Sequence, residues 1–122
     1  MEFVDLTKTP RQLADDADEA IRALNHVTMN RRDEWEYPGD AYSVTGSLGS
    51  MAARLPQALQ QIQRFLNELE REHALSSTHG NLAADLAQVR SGLTLSLKGA
   101  AQMLQGLTAA QSGLSSIAYK ED

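Results

Sequence analysis

Residues 92–119 read GLTLSLK-GAAQMLQ-GLTAAQS-GLSSIAY, with Gly92, Gly99, Gly106 and Gly113 recurring at every seventh position. That period places all four on nearly one line of an α-helix. Glycine inside a helix costs ~0.5–1 kcal/mol relative to alanine, so four on one line need a compensating gain. Close approach of another backbone along the line is that gain. Leu93, Ala100, Leu107 and Leu114 each follow a glycine, and Leu82, Leu86, Val89, Leu97, Leu104 and Ile117 extend the apolar line. The pattern predicts a long helix over about residues 81–118.

The sequence on the N-terminal side of this helix gives it a partner. Residues 76–80, SSTHG, form a short polar turn. Before them Val44, Leu48, Met51, Ala52, Leu55, Leu59, Ile62, Leu66 and Leu69 predict a second long helix over about residues 41–74. A short turn between long helices makes them an antiparallel hairpin. Folding it about residue 77 or 78 sets Leu69 opposite Leu86, Leu66 opposite Val89, Ile62 opposite Leu93, Leu55 opposite Ala100 and Leu48 opposite Leu107. Gly49 then falls opposite Gly106, within a small-residue line of Gly46, Gly49, Ser50 and Ala53, which predicts a close helix pair at that end. Pro56 removes one backbone hydrogen bond and predicts a kink near residues 52–55. If the helix breaks there, the alternative is a four-helix bundle.

A third helix precedes the hairpin. Thr9, Pro10 and Gln12 form a start signal of N-cap, first-turn proline and capping-box partner. Leu13, Ala17, Ala20, Ile21, Leu24 and Val27 carry the apolar face to about residue 29. Residues 1–8 read as an extended lead, residues 30–40 as a loop with a Pro38-Gly39 turn and an Asp40 cap, and residues 119–122 as a tail. The expectation is a single all-α domain: a three-helix bundle on a long antiparallel hairpin, with helices at about 10–29, 41–74 and 81–118. The first helix is much shorter than the hairpin. Packed along residues 41–60 and 99–118, it leaves the seam near Ile62 and Leu93 half exposed, which calls for a second chain.

Composition narrows the function classes. The chain of 122 residues has no cysteine, which removes disulfides and thiolate metal sites. It carries a net charge of −5, and residues 1–40 hold the whole acidic excess. Without a basic stripe it does not fit a nucleic-acid binder. No run of about 18 apolar residues is present, so no membrane span is expected. The N-terminal MEFVDLTK has neither a basic start nor an apolar run, which gives a cytoplasmic expectation.

Chemistry-bearing clusters are sparse. Glu70 and His73 form one Glu-x-x-His pair, with no second copy and only Asp85 on the facing helix, so no metal is assigned. Asp15, Asp16, Asp18 and Glu19 suit the positive end of a helix dipole. No convergent catalytic set is found; the chain reads as a non-enzymatic protein without a cofactor, the alternative from these carboxylates being a metal-dependent all-α hydrolase. Arg31, Arg32, Trp35, Tyr37 and Tyr42 form the most distinctive polar-aromatic patch. Such side chains anchor interfaces or plug the end of a bundle. The outer side of the last helix (Thr94, Gln102, Gln105, Thr108, Ser112) is uncharged, which suits a self-associating face. Close helix packing is assigned to Gly46, Gly49, Gly92, Gly99, Gly106 and Gly113, and the partner to a second copy or another helical protein.

Size, hairpin and loop tryptophan resemble the WXG100 secreted helical hairpins, although Trp35-Glu36-Tyr37 stands where that family has Trp-x-Gly. In those proteins the tail carries a Tyr-x-x-x-Asp/Glu export signal; here Tyr119-Lys120-Glu121-Asp122 brings the acid one residue early. The resemblance implies export without a signal peptide as the alternative location. WEYPGDAY at 35–42, with LPQAL at 55–59, is similar to small uncharacterised helical proteins of actinobacteria. That resemblance implies no activity.

Overall fold

Thr9 opens the first helix as the sequence predicts. Its hydroxyl accepts from the Gln12 N–H at 3.2 Å, and the Gln12 side chain accepts from the Thr9 N–H at 2.9 Å. Pro10 supplies the first helical residue without wasting a donor. This is α1, Pro10–Thr28, in a computed structural model that describes residues 5–29 and 35–121. The chain divides into two units, Met1–Tyr37 and Pro38–Asp122. In the first, Ile21 and Leu24 are half-buried, while ion pairs Lys8–Asp16 (2.7 Å) and Glu19–Arg22 (3.3 Å) lie on the exposed side.

The second unit is a hairpin of α2, Pro38–Arg71, and α3, Leu82–Leu114. With α1 they make an all-α fold, with no strand among the described residues. At 1.5 Å per residue each hairpin helix is about 50 Å long. Three boundaries differ from expectation. Pro38 and Gly39 begin α2 instead of turning the chain before it, because proline's fixed φ suits a first helical turn. Asp40 therefore lies in the first turn, not before it. The far end of α2 comes at Arg71, and α3 ends at Leu114, leaving Ile117 beyond it and exposed.

Both ends of the inter-helix turn are locked by hydrogen bonds. The Ala74 N–H donates to the Leu69 carbonyl and the His73 N–H to the Glu70 carbonyl, both at 3.0 Å. His73 sits at φ 55 between them, so α2 closes in a Schellman motif. Gly80 takes φ 76, and its N–H donates to the Ser77 carbonyl at 3.2 Å. Asn81 then caps α3, its side chain accepting from the Ala84 N–H at 3.1 Å. Ser77 ties turn to helix by donating its hydroxyl to Asp85 at 2.5 Å.

Pro56 does not break the hairpin. α2 runs continuously through it, so the four-helix alternative within one chain is not formed. Pro56 is half-buried on the line that faces α3, together with Thr45, Gly49, Ala52, Leu59, Gln63 and Leu66. Losing the one bond to the Ala52 carbonyl is tolerable in a helix clamped along its length. On α3 the facing line is Leu82, Leu86, Val89, Leu93, Leu97, Ala100, Leu104, Leu107, Gln111 and Leu114. Its spacing alternates four and three except for two successive fours around Leu93, a stutter that locally unwinds left-handed supercoiling.

The predicted register holds to within about a residue at the open end. Leu107 Cβ lies 3.7 Å from where a Cβ on Gly49 would stand, and the Gln111 amide covers Gly46. Near the turn Arg90 and Glu70 pair at 2.7 Å. Gly106 does not meet Gly49; its own Cβ position has nothing within 4 Å. The leucine after it fills the contact instead.

Candidate interaction face

On α2 the apolar stripe is wider than one neighbour can cover. Its members occupy the α3-facing line (Ala52, Leu59, Leu66) and also the line one residue earlier and its flank: Val44, Leu48, Met51, Leu55, Ala58, Ile62, Phe65 and Leu69. α3 lies at one edge of the stripe, against Thr45, Gly49 and Gln63, not at its centre. Met51, Leu55, Ile62 and Phe65 consequently remain 38%, 39%, 48% and 58% exposed. The apolar arc of α2 is thus wider than the strip that α3 covers.

The glycine line of α3 borders the same side. In an antiparallel pair, residues that follow facing positions share one side of the hairpin, and residues that precede them share the other. An open groove of about 820 Å³ marks the first side: Gln60, Arg64 and Asn67 follow Leu59, Gln63 and Leu66, while Arg90 and Thr94 follow Val89 and Leu93. That groove has a floor of Leu59, Leu93 and Leu97 and a rim that carries Arg64, Arg71, Arg90 and Glu70. The second side carries Leu48, Leu55 and Ile62 from α2, with Gly92, Ser96, Gly99, Met103, Gly106, Ala110 and Gly113 from α3. Between Gly92 and Gly113 no charged residue stands on either line; nearer the turn Asp85, which precedes Leu86, brings one charge onto the α3 line. All four glycines of the repeat have nothing within 4 Å of a Cβ position, so the close approach they permit is not used among the described residues. Gly46 and Gly49 are the glycines that α3 covers.

The hairpin leaves little buried by itself. Among the described residues the buried hydrophobics are Ala52, Leu86 and Ala100, and no large side chain is fully buried. Leu95 and Met103 of α3 are exposed as well. The half-open seam expected near Ile62 therefore extends through Leu55 to Met51.

The aromatic loop is only partly in view. Arg31 and Arg32 lie outside the described residues. Trp35 is half-buried and Tyr37 exposed in the first unit, while Tyr42 is exposed on the second turn of α2. The acidic candidates are engaged separately: Glu70 with Arg90, Asp85 with Ser77, Asp16 with Lys8 and Glu19 with Arg22. Among the described residues no three His, Asp or Glu converge on a metal position, and no helix is long and apolar enough to cross a membrane.

The uncharged face was hidden in the sequence by the assumption that the apolar stripe of α2 points at α3. α2 carries two lines of seven-residue repeat, and the more apolar of them is the one α3 leaves open. No family model, curated protein or solved structure matches the chain.

Proposed function

We propose that this chain is a non-enzymatic helical interaction protein that self-associates through the uncharged side of its hairpin. The observation that carries the reading is the exposed row Met51, Leu55, Ile62 and Phe65 beside the uncovered glycine line. Burying that row removes apolar surface worth ~25 cal/mol per Å² from water, and no charge has to be desolvated to do so. The Trp35–Tyr42 segment is a second contact in this reading, and its work is binding rather than catalysis.

Light scattering on a sizing column, over a range of protein concentrations, tests the reading. The intact chain is expected at twice its 13.3 kDa mass. Leu55→Lys combined with Ile62→Lys places two charges on the face and is expected to raise the dissociation constant by roughly 100-fold or more. A native chain that stays monomeric throughout, or a double variant that associates as well as the native chain, overturns it.

A further inference from the structure

Resting on that self-association, we infer the arrangement of the pair. Two hairpins lie face to face about a twofold axis parallel to their helices, each α2 against the partner's α3, with both turns at the same end. The result is a four-helix bundle made from two chains.

The area suffices. Val44 to Leu69 spans about 38 Å of helix. Two helices 8–10 Å apart present a side roughly 20 Å wide, giving about 750 Å² per copy. A stable pair of proteins buries about 800 Å² on each partner.

The shape selects the symmetry. Leu48, Leu55, Ile62 and Leu69 form a ridge on α2 that repeats every seven residues. Gly92, Gly99, Gly106 and Gly113 form a trough on α3 with the same repeat, which ends toward the turn at Asp85. A twofold axis along the helices carries each ridge onto the partner's trough without sliding either along the bundle. Levels within one hairpin therefore apply between the two. Gly49 is level with Leu107, which sets Leu48, Leu55 and Ile62 within about two residues, ~3 Å, of Gly106, Gly99 and Gly92. Large side chains meet positions with no side chain, three times in register. The other twofold arrangement, with its axis across the helices, sets ridge on ridge and trough on trough. It leaves a void along the glycines that close-packed interfaces do not tolerate.

The test uses the full chain with one added thiol. The sequence has no cysteine, so Thr78→Cys, exposed in the turn, gives a unique position for a spin label. Mass and label separation are read on the same sample. A dimer with labels within roughly 30 Å is expected, since the turns sit side by side across a bundle only a few helices of ~10 Å wide. A dimer with labels about 50 Å or more apart, a full helix length, overturns the arrangement while leaving self-association intact. A monomer overturns both, and assigns the face to residues 10–28 or to a different protein. Gly99→Leu is the second variant. It fills the trough at a position open in the single hairpin and favours helix, so the chain folds. Retained helicity with at least a tenfold weaker dimer is expected; an unweakened dimer overturns the inference.

Discussion

His73 adopts the left-handed backbone at the end of α2, where helices most often place glycine. A side chain there costs about 1–2 kcal/mol. His73→Gly keeps the two closing hydrogen bonds and relieves that cost, so a gain of about 1 kcal/mol in denaturant unfolding is expected. At the other end of the chain, Asp5 accepts from the Thr7 hydroxyl and N–H, which hold its carboxyl below the ordinary 3.8, the hydroxyl first. A lowered native pKa contributes stability above the unfolded value, and the contribution is lost as pH falls through the native one. Thr7→Val removes the larger cause. In a carboxyl-detected NMR titration the Asp5 midpoint is expected to move up toward its ordinary value.

Within the elements, Pro56 and the Arg90–Glu70 pair differ in weight. Pro56→Ala restores an N–H for the Ala52 carbonyl in the middle of α2. It is expected to stabilise the chain by on the order of 2 kcal/mol and to slow amide exchange around residues 56–60. The ion pair is almost half exposed on both sides, so a double-mutant cycle is expected to return about 0.5 kcal/mol, falling with salt. How far the elements were legible follows the same physics. Thr9, Pro10 and Gln12 marked the α1 start to the residue, because a capping box is local chemistry. Leu82, Leu86, Val89, Leu93, Leu97, Ala100, Leu104 and Leu107 gave the facing line of α3, because only one apolar period runs through it. On α2 two adjacent apolar lines run side by side, and periodicity cannot say which one a neighbour takes. Pro38 and Gly39 misled because the same pair starts helices and makes turns. The ends of α2 and α3 were overextended because apolar residues such as Ala74 and Ile117 continue past the last helical hydrogen bonds.

For the molecule as a whole, the open side of the hairpin is apolar from Val44 to Leu69 and carries no charge from Gly92 to Gly113. Its chemistry sets which solvent conditions undo an assembly formed there. Added sodium chloride screens surface charges and finds none on these lines between Gly92 and Gly113, so the dissociation constant is expected to change less than about threefold between 0.05 and 0.5 M salt. Temperature reaches it directly. Apolar contact is driven near 25 °C by the entropy of released water and carries a large negative heat-capacity change on burial. Dilution calorimetry from 5 to 35 °C is expected to find a steep negative slope of association enthalpy and looser pairing in the cold. A pair held this way dissociates on chilling and is indifferent to brine, so a preparation kept on ice would hold more single chains than the same solution on the bench.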